Sequence, residues 1–358
     1  MTEPTVLIVL ASADRRGAEV EGLQLAAELS ARGVVATAVA CAPAAAGSAA
    51  PLEVQVLGAR PLSLGSLRAL RRLARGVDVV VALGSSTLPA CALALLGSRT
   101  PFVYRSIGDP ARWVRGGWHR RRTGVLFRRA AHVIALWPGA AASIHELYGV
   151  STDAITCIPN ARPAAKTTPP SRASARSAFG LPAEANVVAW VGALSHEKRP
   201  VAAVEAVASM PGAWLLLAGG GPLQADVAAV AQRLMPGRHR LLGVVADLVP
   251  VWAACDVALL TSATEGMPGV LIEAALHGVP AVATDVGAVD SVVSDGRTGR
   301  VVPAEAGSQV IAGALADALA QRVAWGSAAR LHVTTHFTWQ SVAPQWVELL
   351  RRVGSRAR

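Results

Sequence analysis

The sequence predicts an α/β protein with two doubly wound parallel sheets, and three observations support this. The chain has 358 residues, which at roughly 150 residues per domain suffices for two cores. Hydrophobic residues make up 52% of it and aromatic residues only 4%, so aliphatic helices are expected to pack on aliphatic strands. Short apolar runs alternate with amphipathic stretches, which is typical of parallel strands joined by helical crossovers.

The first half of the chain alternates between predicted strands and helices. Its start has one acidic residue, Glu3, before a short apolar run and lacks the basic leader and cleavage site of a secretory signal, so this run is expected to be a buried strand. Residues 79–98 are uncharged, but Gly84 and Pro89 interrupt them, which favours a strand, a turn and a buried helix over a membrane span. Strands are predicted at residues 6–10, 34–40, 54–57, 77–83, 102–104, 133–136 and 155–158. Helices are predicted at residues 17–31 and 64–75, and in two segments that end near residue 129 and at residue 148.

A segment rich in Pro, Thr and Ser, residues 159–174, is the best linker candidate in the chain. Beyond it the alternation restarts, which predicts two halves with a cleft between them, because open parallel sheets bind ligands beyond the carboxyl ends of their strands. The predicted domains are residues 1–160 and 161–336, followed by a final helical segment at 337–358. Strands are predicted at residues 187–191, 214–218, 257–260, 281–284 and 300–302, and a long amphipathic helix at 337–352.

The formal net charge of +10 is concentrated in the first half, where residues 1–160 carry 17 basic and 10 acidic side chains. Only Lys166 and Lys198 are lysines, so much of the arginine content reflects a GC-rich genome. The four cysteines form no Cys-x-x-Cys pair and no Cys/His cluster. We therefore expect reduced thiols in the cytoplasm and no metal site.

The strongest local signal is the run TEGMPGVLIE, which follows a predicted strand and ends at Glu273. Pro268 favours the first turn of a helix, so the backbone N–H groups of residues 269–271 are expected to be exposed at a helix N-terminus, where they suit a phosphate or diphosphate. Glu273 lies one turn deeper, where its carboxylate could accept both hydroxyls of a ribose. Glu265, on the preceding loop, would face the other side of the bound group. Taken singly, such glutamates are more often solvated surface acids.

Two further loops follow predicted strands. The loop VGALSHEK ends at Lys198, whose compact ammonium matches a phosphate oxygen, although an exposed lysine at a helix start is equally common. The turn at residues 219–222 reads GGGP, which by itself is a weak signal because glycine-rich turns often follow strands.

In combination, these segments resemble the retaining glycosyltransferases of family 4, which have the GT-B fold. The family's two glutamates separated by seven residues correspond to Glu265 and Glu273, and its strand-Gly-loop-Glu-Lys element corresponds to residues 192–198. Its Gly-Gly-Pro turn corresponds to residues 220–222. Further likeness at residues 158–160, 278–287, 295–299 and 337–339 extends the resemblance over most of residues 155–340.

The resemblance implies two Rossmann-like domains facing across a cleft, the first binding the acceptor and the second the nucleotide sugar, with the C-terminal helix crossing back to the first. It implies a bacterial, cytoplasmic hexosyltransferase that needs no cofactor or metal. This enzyme would move a sugar from a nucleotide diphosphate sugar to a saccharide, lipid or small-molecule acceptor with retention of configuration. The implied catalytic residues are Glu265, near the donor sugar, and Lys198, at the departing diphosphate. The implied donor-binding residues are Gly17, Gly192, Val245, Met267, Pro268, Gly269, Val270, Leu271 and Glu273.

Three departures from the family pattern keep alternatives open. Ala193 stands where the family often has arginine. In the loop after the first strand, many members have two glycines, whereas this chain has Arg16 followed by Gly17. Residues 104–109 lack a histidine that many members have. Residues 243–245 resemble the family's base-contacting strand end. For Asp247, beside them, a helix N-cap is favoured over contact with the base. The alternatives are a regulatory protein that binds nucleotide sugars without turnover and a GT-B nucleotide-sugar epimerase.

Residues 111–129 interleave Trp113, Trp118 and Phe127 with many arginines. Such a segment suits an anionic membrane surface, which would place the protein peripherally on the inner face of the plasma membrane. The alternative is a solvated crossover helix in an arginine-rich protein. Nucleic-acid binding is disfavoured because no recognised nucleic-acid-binding module accompanies the charge.

Overall fold

Contacts divide the chain into unit 1, Met1–Ala161 with Trp339–Arg358, and unit 2, Arg162–Thr338. The computed structural model describes residues 3–15, 17–45, 51–112, 116–164 and 169–355. The strands of unit 1 are β1 (Thr5–Leu10), β2 (Val35–Ala40), β3 (Gln55–Val56), β4 (Val79–Leu83), β5 (Phe102–Arg105), β6 (His132–Ala135) and β7 (Ile155–Cys157). Its first helices are α1 (Gly17–Ser30), α2 (Leu64–Ala74), α3 (Thr87–Ala94), α4 (Gly117–Arg129) and α5 (Pro138–Tyr148), with 3-10 turns at Pro110–Arg112 and Thr152–Ala154.

The seven strands of unit 1 form one parallel sheet in the order β3-β2-β1-β4-β5-β6-β7. β1 pairs with β2 on one side, in the register Val6 to Ala36, and with β4 on the other, in the register Val6 to Val79. Every residue of β4 is buried, as expected for a parallel strand covered on both faces. One face packs against the core that contains Leu70 and Phe127, and the opposite face packs against Leu25 of α1.

Unit 2 has a second parallel sheet of six strands. Its strands are β8 (Val187–Val191), β9 (Trp214–Ala218), β10 (His239–Gly243), β11 (Val257–Leu260), β12 (Ala281–Thr284) and β13 (Gly299–Val302). Its helices are α6 (Arg172–Ala178), α7 (Pro200–Ala208), α8 (Gln224–Leu234), α9 (Val249–Ala254), α10 (Gly269–Leu276), α11 (Val289–Val292), α12 (Ser308–Ala320) and α13 (Arg322–His336), with a 3-10 turn at His196–Lys198.

The strand order in unit 2 is β10-β9-β8-β11-β12-β13. The chain runs outward from β8 to β10 and then returns to the other side of β8 with β11, so the winding changes direction between β8 and β11. Ligands bind at such switch points, beyond the carboxyl ends of the strands. The two doubly wound sheets confirm the predicted fold class.

The last helix, α14 (Trp339–Ser355), belongs to unit 1. Trp339, Trp346 and Leu350 of this helix are buried in the same core as Leu25. The helix begins two residues later than predicted because Phe337 ends α13, where its N–H donates to the Val333 carbonyl at 2.8 Å.

Buried Asp256 joins α6 to the sheet of unit 2. Its Oδ2 accepts hydrogen bonds from Arg176 Nη2 at 2.7 Å and from the Val187 N–H at 2.8 Å, and Arg172 pairs with Oδ1. Burial lowers the pKa of the Arg176 guanidinium, and the charge of Asp256 opposes this shift. The carboxylate thus holds two arginines against the strand that leads to the switch point.

The cysteines at 41, 91, 157 and 255 are free thiols, and burial raises the pKa of Cys41 to about 11. Within the described ranges, none of the helices combines the length and apolar character needed to cross a bilayer.

Candidate functional site

Lys198 and Glu265 meet at the switch point of unit 2. Lys198 ends the 3-10 turn after β8, Glu265 lies on the loop after β11, and Lys198 Nζ is 2.7 Å from Glu265 Oε1. The same oxygen accepts a hydrogen bond from Ser262 Oγ at 2.6 Å. The side chains of Lys198 and Glu265 are 23% and 11% exposed. The two predicted catalytic residues therefore form a largely buried ion pair where ligands bind in this type of sheet.

Hydrogen bonds from Thr261 fix the loop that carries Lys198. Trp190 Nε1 donates to Thr261 Oγ1 at 3.0 Å, and this hydroxyl lies 2.9 Å from both the Lys198 and the Arg199 carbonyl oxygens. Arg199 has a φ of +50°, unlike any other non-glycine residue within the described ranges. Its Nη1 donates to the Ala304 carbonyl at 2.6 Å, which helps to hold this unfavourable backbone conformation.

The loop that carries Glu265 is held from the other side by residues after β12. The Ala288 N–H donates to the Gly266 carbonyl at 2.8 Å. Gly287 has a φ of +60°, and a Cβ at that position would collide with the Glu265 and Gly266 carbonyl oxygens. Only glycine allows this close approach.

Helix α10 begins at Gly269 beside this loop. Pro268 is its N-cap, with φ −76° and ψ 96°, and so lies just before the first turn rather than within it. The Leu271 N–H donates to the Pro268 carbonyl at 3.1 Å, so the prediction of a free amide at Leu271 is wrong. This bond joins residues three apart, which is the 3-10 pattern that often tightens the end of an α-helix. The amides of Gly269 and Val270 have no hydrogen-bond partner in the part of the chain that the structure describes.

Arg162 was not predicted from the sequence, yet it contacts two of the predicted site residues. Its Nε donates to Glu273 Oε1 at 2.6 Å, with the two side chains 14% and 32% exposed. A Cβ on Gly269 would collide with Arg162 Nη2, so the guanidinium lies directly against the start of α10. The Arg162 N–H donates to the Phe337 carbonyl at 2.8 Å. Arg162 is 111 residues from Glu273 in sequence, and its only sequence signal is its place after the Ile-Pro-Asn element.

Glycines close the turns after β8 and β9. A Cβ on Gly192 would lie 3.3 Å from the Trp190 ring, and a Cβ on Gly219 would collide with the Gly192 carbonyl. Between these turns, Ser195 Oγ is buried and lacks a hydrogen-bond partner among the residues described. The hydroxyl therefore adds an unused donor to the loop that also carries Lys198.

The remaining predicted donor-binding residues occupy different surroundings. Met267 is only 6% exposed, and Val245 is half-buried beyond β10. The N-cap of α9 is Leu248 rather than Asp247, although Asp247 Oδ1 accepts the Val249 N–H at 2.9 Å, at the first residue of the helix. Gly17 lies in unit 1 at the first residue of α1, with open space where its Cβ would be. Arg16 and Trp113 lie outside the described residues.

Burial lowers the pKa of His277 at the end of α10, and the charge of Arg330 lowers it further. The carboxylates of Glu273 and Asp247 oppose this shift. Across the described ranges, no three His, Cys, Asp or Glu side chains are grouped closely enough to hold a metal ion.

Two doubly wound units, one with a Lys-Glu pair at its switch point, define the GT-B class of protein. Residues 16–161 match the family described as glycosyl transferase 4-like domain, and residues 185–321 match glycosyl transferases group 1. These two matches together cover most of the chain. The chain belongs to the group 1 glycosyltransferase family.

Curated relatives of known name match part of the chain. The chain is 33% identical over 190 residues to a D-inositol 3-phosphate glycosyltransferase of Mycobacteroides abscessus. This match covers 49% of the chain and 41% of the relative. A protein of the same name from Mycolicibacterium smegmatis is 35% identical over 148 residues, covering 38% of the chain and 33% of the relative. The chain thus matches well under half the length of these relatives.

Solved structures share the fold over nearly the whole chain. HepE of Anabaena, in complex with UDP and glucose, superposes on this chain with a TM-score of 0.83 at 24% sequence identity. The superposition covers 97% of this chain and 99% of the HepE chain. Sucrose-phosphate synthase from Thermosynechococcus elongatus has a TM-score of 0.81 at 20% identity and covers 98% and 99% of the two chains.

Proposed function

We propose that this protein transfers a hexosyl group from a nucleoside diphosphate sugar, held by unit 2, to an acceptor held by unit 1, with retention of anomeric configuration. The observation that carries the proposal is the Lys198–Glu265 pair at the switch point. Beside it, α10 offers the unpaired amides of Gly269 and Val270. A cation and a helix N-terminus together suit a diphosphate.

The donor is oriented by two carboxylates. Glu273, one turn into α10, accepts hydrogen bonds from the ribose hydroxyls while Arg162 fixes its carboxylate. Glu265 faces the sugar. Because Lys198 is shared between Glu265 and the incoming diphosphate, donor binding loosens the ion pair and frees the Glu265 carboxylate for the sugar hydroxyls.

During transfer, the bond between the anomeric carbon and the diphosphate oxygen breaks, and its electron pair remains on that oxygen. Lys198 and the α10 amides stabilise the charge that develops there, which is where fixed donors contribute most to catalysis. The acceptor hydroxyl bonds to the anomeric carbon on the face that the diphosphate leaves, and its proton passes to the departing diphosphate oxygen. Attack on that face retains the configuration.

Family membership and the names of the relatives support glycosyl transfer, and the HepE complex with UDP-glucose makes UDP-hexoses the first donors to test. The test incubates the protein with labelled UDP-, GDP- and ADP-sugars and measures binding, hydrolysis and transfer to saccharide and lipid acceptors. NMR of the product's anomeric proton determines whether the configuration is retained.

Each outcome of this panel is informative. Slow hydrolysis or transfer supports the proposal. Saturable binding without turnover would indicate a regulatory nucleotide-sugar-binding protein, an alternative motivated by Ala193 and by the histidine missing from residues 104–109. An epimerised donor would indicate an epimerase. Absence of a thermal shift with every nucleoside diphosphate would contradict all three.

A further inference from the structure

We infer that helices α2, α3 and α4 of unit 1 form a surface that binds an anionic phospholipid bilayer. None of the residues involved belongs to the proposed donor site. The inference therefore does not depend on the proposed transferase function.

Basic side chains greatly outnumber acidic ones in this region. Between residues 54 and 145 the chain has fourteen arginines and only two carboxylates, Asp78 and Asp109. Asp78 accepts a hydrogen bond from the Thr5 N–H at 2.9 Å, and Asp109 pairs with Arg112. Helices α2, α3 and α4 themselves contain no acidic residue. Their exposed arginines are Arg68, Arg72, Arg120, Arg121, Arg122, Arg128 and Arg129.

Large apolar side chains are exposed among these arginines. Trp118 and Val125 of α4 are 71% and 54% exposed, whereas Phe127 of the same helix is fully buried. The Arg122 guanidinium lies 5.5 Å from the centre of the Trp118 ring. Exposed arginine and tryptophan side chains on one helix are typical of surfaces that lie in the membrane interface. The other large exposed apolar side chains on or beside helices α2 and α3 are Leu62, Leu64, Leu93 and Leu96.

A cavity on each side of α4 completes the surface. The cavity towards α3 has a volume of about 680 Å³ and is lined by leucines, among them Leu62, Leu93 and Leu126, and by Arg122. The cavity towards α5 has a volume of about 480 Å³ and is lined by three arginines, Arg120, Arg121 and Arg128, and by Tyr148. The first suits a hydrocarbon chain and the second an anionic headgroup, so together they match the two parts of a phospholipid.

Two other occupants fit these features less well. A second copy of the chain would bring arginine against arginine, because these helices have no acidic side chain to pair across a self-complementary interface. A nucleic acid would supply phosphates but would leave the exposed leucines in water. Only a bilayer surface satisfies both the charge and the apolar side chains.

The test is co-sedimentation of the full chain with vesicles of phosphatidylglycerol and phosphatidylcholine, or of phosphatidylcholine alone, at several salt concentrations. We expect binding only to the anionic vesicles, weakened by salt. The R120Q/R121Q/R122Q variant should lower the partition coefficient by about 100-fold, if each arginine contributes as basic residues usually do near anionic lipid. A thermal melt confirms that each variant is folded.

The matched control, R233Q/R297Q/R330Q, removes the same charge from exposed arginines of unit 2 and should retain binding. The variant W118S/V125S should lose the part of the binding that resists salt, and W118F/V125L should retain it. Three results would each overturn the inference. They are an equal loss of binding in the control triple variant, equal binding to neutral vesicles, and binding to a short RNA duplex without binding to vesicles. The readout requires no turnover, so failure of the proposed transferase reaction leaves this test intact.

Discussion

Lys198 Nζ and Glu265 Oε1 lie 2.7 Å apart, although the two residues are on loops after different strands. Sheet order explains the contact, because β8 and β11 are adjacent at the point where the winding of unit 2 reverses. The proposed diphosphate-binding cation is therefore paired with a carboxylate. Under the proposed function, the donor would compete with this ion pair for Lys198.

This competition predicts opposite effects of the two partners on product binding. Lys198→Met should weaken nucleoside diphosphate binding, whereas Glu265→Gln should tighten it several-fold, because the ammonium is then no longer shared. Turnover should fall in both, and by about 100- to 1,000-fold for Lys198→Met if it acts as a single oxyanion donor. Isothermal titration with the diphosphate that binds wild type measures the affinities. Glu197→Gln removes an exposed neighbouring charge and should change neither quantity; weaker binding in the Glu265 variant would contradict the shared-cation explanation.

Arg162 is predicted to position Glu273 rather than to act on the reacting atoms. Arg162→Met should raise KM for the donor several-fold with a smaller change in kcat, and Arg162→Lys should restore part of the affinity. Gly269→Ala should have a similar effect, because its Cβ would displace the Arg162 guanidinium. Coupled residues give non-additive effects, so the double variant Arg162→Met/Gly269→Ala should be no worse than the more impaired single variant. Additive losses would show that Gly269 and Arg162 act separately.

Asp256 is predicted to be among the carboxylates most important for stability in unit 2. Asp256→Asn leaves the buried Arg176 without its charged partner and should lower the free energy of unfolding by about 3–5 kcal/mol, as measured by urea denaturation. Asp295→Asn removes an exposed partner of Arg300, 3.4 Å away, and should cost under about 1 kcal/mol. Similar losses in the two variants would be inconsistent with the buried network.

His277 should make stability depend on pH. Its pKa is lowered in the folded protein, chiefly by burial, so the unfolded chain binds this proton more readily. The free energy of unfolding should therefore fall as pH drops through the ordinary histidine pKa of about 6.5 towards the lower folded value. His277→Gln should lose less stability than wild type between pH 7.5 and 5.5 in urea titrations. An unchanged slope of stability against pH in the His277 variant would exclude this cause.

The buried strands of unit 2 could be predicted from the sequence, but its partly exposed edge strand β10 could not. Strands β8, β9, β11 and β12 have the predicted bounds, because each is a short apolar run covered on both faces. No run of this kind predicted β10, which reads HRLLG and is only partly buried at the sheet edge. A half-exposed strand has no continuous apolar run, so nothing in its composition separates it from a loop.

In the candidate site, residues close together in sequence could be predicted, but a contact between residues far apart in sequence could not. Glu265, Gly269 and Glu273 lie within one short segment, so a strand, loop and helix pattern was enough to propose them together. The partner of Glu273 could not be found in this way. Arg162 lies in a segment interpreted as a linker, and only the folded chain brings it to α10.

The return of α14 to unit 1 determines the order in which the protein can mature during translation. The ribosome completes all of unit 2, Arg162–Thr338, before it releases the helix that covers one face of the first sheet. Until then, the residues that would pack against Trp339 and Trp346, Leu25 among them, remain uncovered. Unit 1 thus stays unfinished throughout the synthesis of unit 2, and a product truncated before Trp339 would expose that apolar face to chaperones and proteases.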